Sequence, residues 1–163
     1  MIVNTNKTKV MIIKSKNDTY ANFMYDNSNL EEVSSYKYLG IDIHHKLNCN
    51  YSIKKRINGG WKDYFGFENN CKDTNLMMWD KKKLLFETLV TLVILYGCDI
   101  WGCSISRESW RKIEKIQKRF ITYNLKIKNN TPYPILLIEV GLSPIESLAM
   151  TRLLLYKNKI NNN

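Results

Sequence analysis

Cysteine and histidine are scarce in this chain, four and two in 163 residues, and neither is arranged for metal binding. Cys98 and Cys103 are close, but no histidine follows at ligand distance, and Cys49 and Cys71 stand apart, so the paired short spacings of a structural zinc site are missing. With no secretory signal at the N-terminus, reduced buried thiols are expected rather than disulfides. His44 and His45, read as the end of a strand, are expected to face apart, which argues against joint ligation. Long apolar runs are also lacking. The most apolar segment, Leu84 to Trp101, is interrupted by Glu87 and Asp99, and its uncharged part from Thr88 to Cys98 falls short of the about 20 residues a bilayer core needs. It predicts a buried core helix. Targeting signals and internal repeats are absent from the pattern. The expectation is an intracellular protein with no cofactor, no metal and no membrane partner.

What is present is basic and apolar together. A hydrophobic content of 44% is enough for a core, and a net charge of +10 favours a polyanionic partner, nucleic acid before an acidic membrane. Lysine far outnumbers arginine, and asparagine and isoleucine are abundant, the pattern of an AT-rich coding sequence. Codon bias is therefore a second source of the basicity.

The first third reads as strands. Lys9–Ile13 is a short apolar run closed by the turn cluster Lys14–Asp18, with Tyr20–Tyr25 as the returning arm of a hairpin. Asp26–Asn29 makes another turn. Leu30–Val33 and Tyr36–Ile43 complete a small antiparallel sheet, the last strand placing Leu39, Ile41 and Ile43 on one face, with Gly40 allowing a close approach.

After about residue 50 the period changes to 3.6. Ile53, Ile57, Trp61, Tyr64 and Phe65 line one side of a helix, and Gly59-Gly60 is expected to weaken or kink it. Residues 66–79 read as a linker. Asp80 is placed to cap a second helix, apolar on all sides from Leu89 to Tyr96 and expected at the centre of the core. A third helix from Glu108 to Leu125 turns Trp110, Ile113, Ile116, Phe120 and Ile121 inward, with Arg111, Lys112, Lys115, Lys118 and Arg119 on the remainder. A short helix from Pro134 to Val140 stops at Gly141, and Ser143-Pro144-Ile145-Glu146 reads as a capping box opening a final helix to about Lys159. The fold class is α+β: a small antiparallel β-sheet over residues 1–48, then a helical bundle over residues 49–163.

Three short motifs stand in a telling order: Asn4-x-x-Lys7-Thr8, Tyr38-Leu39-Gly40, and Tyr96-Gly97-x-x-x-Trp101. In that order and spacing the chain resembles the C-terminal part of reverse transcriptases from non-LTR, LINE-type retrotransposons, over nearly its whole length. Ile113-x-x-x-Gln117 and Gly141-Leu142-x-Pro144 also look like that family. Asp99 departs from the family's glutamate. The resemblance implies a palm end followed by a thumb, which grips template and primer by their phosphates.

The resemblance also implies what is missing. Such polymerases hold two metal ions on clustered carboxylates, two of them from a Tyr-x-Asp-Asp turn. This sequence has no such turn: Tyr25-Asp26-Asn27 carries one carboxylate and follows the Lys-Thr motif. The catalytic part would precede Met1, itself similar to an internal methionine. The chain is thus expected not to be an enzyme by itself. It would bind duplex or RNA–DNA hybrid without sequence preference, through Lys54, Lys55 and Arg56 of the first long helix and Arg111, Lys115, Lys118 and Arg119 of the third. The missing palm and fingers half is the second expected partner. Two alternatives stand beside this reading: an interaction module that docks a separate polymerase half, and a transposon relic with no selected function.

Overall fold

The computed structural model describes residue 4, residues 7–13 and residues 22–162. It is α+β, with short strands first and helices after, and it divides into one compact unit ending at Ser52 and another beginning at Ile53.

The first unit holds β1 (Lys9–Val10), β2 (Met24–Tyr25), β3 (Ser28–Asn29), β4 (Glu31–Glu32), β5 (Ser35–Tyr38) and β6 (Ile41–His44). They form separate two-stranded ladders rather than one sheet: β1 runs parallel to β4, while β2–β3 and β5–β6 are antiparallel. Lys9 pairs with Glu31 both in register and as an ion pair. The expected partner of Lys9–Ile13 was Tyr20–Tyr25. Of that hairpin, the turn Lys14–Asp18 and Tyr20 lie outside the described residues, and the strand's partner is β4. Asp26 and Asn27, at φ 46° and 57°, join β2 to β3 in a two-residue loop, a conformation these two side chains tolerate.

Tyr36–Ile43 is not one strand. Leu39 and Gly40 take φ 46° and 80°, so the chain reverses there and Tyr38 faces Ile41 while Tyr36 faces Ile43. Both central residues of a primed turn need positive φ, and Gly40 supplies one of them without cost. Leu39 therefore sits at a hairpin tip, 73% exposed, not on a face with Ile41 and Ile43. The strand ends at His44, and His45 turns back to Ser34 through its backbone N–H and ring. As a result the two histidine rings, expected to face apart, have centroids 4.3 Å apart.

Helix α1 (Asn50–Asp73) begins in the last residues of the first unit and runs 24 residues without a break at Gly59-Gly60. The reason is a close crossing rather than a kink: a Cβ on Gly60 would lie 2.6 Å from Ile94 Cγ1 and 3.1 Å from Ile116 Cδ1. Ile53, Ile57, Gly60, Tyr64, Phe67 and Cys71 form the buried line, at alternating spacings of four and three, while Phe65 is exposed. Residues 66–73, read as linker, are thus helix, because Phe67 and Cys71 continue the same inward face. The connection is only residues 74–78. Asn75 at φ 49° closes the helix, with Leu76 N–H bonding back to Cys71 O at 2.9 Å.

Then come α2 (Trp79–Phe86), a π-helical turn (Glu87–Thr91), α3 (Leu92–Ile94) and α4 (Cys98–Trp101). Met78 is the N-cap of α2 and Asp80 lies within its first turn, so the aspartate does not cap. Nor is the segment buried on all sides. Phe86, Val90, Ile94 and Leu95 are inside, whereas Leu85, Leu89, Leu92 and Tyr96 are exposed. Gly97, at φ 70°, breaks the helix before α4.

The helices α5 (Arg107–Asn124), α6 (Tyr133–Val140) and α7 (Ile145–Asn161) follow. Ser106 caps α5 by accepting from Ser109 N–H. α6 ends on Gly141 at φ 60°. Pro144, not Ser143, is the N-cap of α7, and no side chain caps it, so the capping box does not form. The Ser143 carbonyl instead accepts from the Gln117 side chain at 3.0 Å. The core is aromatic where α1, α2 and α5 meet: Phe86 stacks on Phe120 at 4.1 Å, Trp79 stacks on the same ring at 5.3 Å, and Phe67 meets it edge-on. Among the described residues no single helix is long and apolar enough to cross a membrane.

Candidate nucleic-acid interface

The three motifs are local structures with physical causes. The Asn4 carbonyl accepts the N–H groups of Lys7 and Thr8, at 3.1 and 3.0 Å, and the Thr8 hydroxyl at 2.9 Å, so this motif is a turn with Lys7 exposed beside it. Tyr38-Leu39-Gly40 is the tip of the β5–β6 hairpin. In the third motif, Gly97 redirects the chain so that the buried Trp101 can donate its indole N–H to Tyr96 O at 3.0 Å. The Trp101 ring then lies 6.1 Å from Trp110, tying α4 to α5. Asp99 Oδ1 accepts from its neighbour, the Cys98 thiol, at 3.9 Å.

Helix α5 separates its faces cleanly. Trp110, Ile113, Ile116, Gln117, Phe120 and Ile121 are buried, and Arg111, Lys115 and Lys118 recur at four and three residues on the opposite side. Arg111 and Lys115 are exposed and Lys118 is half-buried. Lys112 is held by Glu108 at 2.7 Å. Arg119 departs from the expected stripe. It is half-buried, with its guanidinium 5.2 Å from the centre of the Tyr123 ring. On α1, Lys54 and Lys55 are exposed, while Arg56 is half-buried and lies over the Tyr96 ring at 4.5 Å, a cation–π contact that fixes where its charge sits. The structure therefore keeps Arg111, Lys115 and Lys118 together as one outward row and diverts Arg56 and Arg119 to rings.

The diverted Arg119 belongs to a feature that periodicity did not reveal. Lys82, Arg119, Thr122, Tyr123, Asn124, Lys126, Ile127 and Asn129 line a cleft of ≈ 490 Å³ at the C-terminal end of α5. Beside it, sharing Lys82, Tyr123 and Asn124, is a smaller cavity of ≈ 170 Å³ reaching Glu68, Cys71 and Lys72. Lys72 donates to Glu68 Oε1 at 2.9 Å. Glu68 Oε2 and, close by, the Tyr64 hydroxyl are buried. Burial pushes the Glu68 carboxyl up, but the Lys72 bond and the nearby Tyr64 and Tyr123 hydroxyls outweigh it, and the group lies below its ordinary range. Tyr64 is pushed well above the ordinary phenol by burial and then by the Glu68 charge. Burial also raises the Cys71 thiol, against the opposing charge of Lys82. In the sequence Lys82 stands within the run Lys81-Lys82-Lys83. Nothing in the spacing joins it to Lys126.

Among the described residues no group of three or more histidine, cysteine, aspartate or glutamate side chains comes together as a metal site. Comparison with known protein families, with curated proteins and with solved structures finds no match.

Proposed function

We propose that this chain is the palm end and thumb of a LINE-type reverse transcriptase, without catalytic aspartates of its own, and that it holds template–primer duplex by its phosphates. The observation carrying the binding role is the outward row Arg111, Lys115 and Lys118, rigidly mounted on a helix whose other side is core. Such a row neutralises phosphates and carries no paired Asn or Gln for base edges, so binding is electrostatic and indifferent to sequence. The family reading itself is supported by the three ordered motifs and by the α+β order of elements.

The test is a salt series of binding to duplex DNA, RNA–DNA hybrid and single strand, with Arg111, Lys115 and Lys118 replaced together by alanine. The slope of log affinity against log salt should flatten by about 0.9 for each phosphate of B-form DNA that is no longer neutralised, with circular dichroism unchanged. A wild type that binds none of the three at low salt, or a substituted protein that binds equally well, removes the binding role. Primer extension with Mg²⁺ and nucleotides should be absent. Extension abolished by changing Asp26 or Asp42 would overturn the catalytically silent reading.

One observation favours a second reading, that of a module docking a separate polymerase half: the exposed apolar row Leu85, Leu89 and Leu92.

A further inference from the structure

The cleft at the end of α5 differs from the outward row in shape and in chemistry. It is concave, and three cations from two helices and a loop converge on it: Lys82 from α2, Arg119 from α5 and Lys126 from the turn that follows. No carboxylate lines it, and none of these three cations makes an ion pair among the described residues. Like charges gathered around one concavity raise its local attraction for an anion.

The backbone explains how Lys126 comes to face this space. α5 closes with Ile127 N–H bonding to Thr122 O at 3.0 Å and Lys126 N–H to Tyr123 O at 3.4 Å, a pattern that places Lys126 in the left-handed region at φ 53°. Glycine is the usual residue at that position, and a lysine there carries a conformational cost. The same bonds occupy the Thr122 and Tyr123 carbonyls near the negative end of α5. Arg119 is held against the Tyr123 ring, which fixes its guanidinium along the wall.

We infer that this cleft binds the phosphate group of a nucleotide, free or at the end of a strand, between Lys82, Arg119 and Lys126. Its ≈ 490 Å³ falls within the about 300–1,000 Å³ of small-ligand sites and accommodates a nucleoside beside the phosphate. The adjoining ≈ 170 Å³ cavity carries the Glu68 carboxylate, which is paired with Lys72, so the phosphate sits in the larger cleft. Arginine supplies the forked donor and the lysines supply point charge. This site is distinct from the flat row on α5 and does not require that row to bind.

The full chain is titrated at constant ionic strength with inorganic phosphate, with uridine 5′-monophosphate, and with a short single strand carrying or lacking a 5′-phosphate. Amide shifts over Thr122–Asn129 are followed by NMR and affinities by calorimetry. Saturable shifts confined to this segment are expected, with the phosphorylated strand bound about tenfold tighter than its unphosphorylated twin. Lys82→Ala with Lys126→Ala should weaken the phosphate-bearing ligands about tenfold or more, while the Arg111, Lys115, Lys118 variant keeps them. Lys126→Gly removes one charge and suits the positive φ, so it serves if the double variant does not fold. Preference for the free ion, the mononucleotide or the strand end identifies the phosphate's source, and each supports the site. Absence of saturable shifts in every arm overturns it, as does undiminished binding by the Lys82, Lys126 and Lys126→Gly variants. An undiminished salt slope in the Arg111, Lys115, Lys118 variant, with the cleft still binding phosphate, would count against the duplex grip alone.

Discussion

Two glycines of α1 that look alike in sequence have opposite roles. Gly60 passes against Ile94 and Ile116, and a methyl group there would sit 2.6 Å from Ile94 Cγ1. Gly66 has nothing within 4 Å of the equivalent position. Gly60→Ala should therefore destabilise the protein by about 1–3 kcal/mol through overpacking, against a helix-propensity gain of at most about 1 kcal/mol. Gly66→Ala should stabilise by about 0.5–1 kcal/mol. Urea midpoints measure both, and equal shifts of the same sign would refute the close-crossing account. The sequence expects Gly59-Gly60 to weaken the helix and places Gly66 in a linker, because the neighbours that crowd Gly60 come from α3 and α5. Gln117 teaches the same lesson. A glutamine on an inward face reads as an exception until its partners are seen: it is 2% exposed, donates to Ser143 O at 3.0 Å and accepts from the Tyr133 hydroxyl, so it satisfies both ends of its amide. Ser143, taken for a cap, holds the other end of that bond.

Elements were legible where one period ran uninterrupted and illegible where it changed. α5 has the bounds and buried face its apolar spacing dictates, within a residue at each end, because its cap and its amphipathic stripe agree. α1 was cut short because Glu68, a buried acid held by Lys72, interrupts the apolar line that Phe67 and Cys71 continue. The β5–β6 hairpin was read as a strand because leucine is an uncommon residue for a positive φ, and the alternation on either side matches a continuous strand. The contact of α5 with α7 carries a pH signature. Glu114 is pushed above the ordinary carboxylate range by burial and by the Glu146 charge, against Arg107 and Arg111. Below the ordinary range Glu114 is protonated in the folded and unfolded chains alike and brings no penalty. As pH rises through the ordinary value toward the raised one, the unfolded chain ionises first and stability is lost. Glu114→Gln should thus be more stable than the parent at pH 7, with the gap closing at about pH 3–4. Urea denaturation across that range checks it, and a gap that stays constant or widens toward acid would contradict the sign.

At the scale of the whole molecule, many large apolar side chains are exposed among the described residues. Leu85, Leu89 and Leu92 on one side of α2, the π turn and α3 are exposed, as are Ile138 of α6 and Leu154 and Leu155 of α7. Burying a leucine side chain fully is worth about 1.5–3 kcal/mol, so even partial cover of such a row favours association. The isolated chain should self-associate at micromolar concentration in light scattering, and Leu85→Ser, Leu89→Ser and Leu92→Ser together should lower the apparent mass without altering the far-ultraviolet spectrum. A monodisperse wild-type monomer would refute this. The π turn has a further consequence, for chain length. It accommodates one residue beyond a regular turn, and one residue is about 100° of helical rotation. Phe86 and Val90, four apart across it, would be three apart without it, and both spacings keep them on the inner side. Removing Leu89 should therefore convert the π turn to ordinary helix and leave the aromatic core in register, whereas removing Lys112 from the regular α5 should throw its inner face out of phase. Comparison of the two deletions by urea denaturation should find the first far milder. The turn is then a length buffer, the one place in this helical run where a codon can be gained or lost without disturbing what lies on either side.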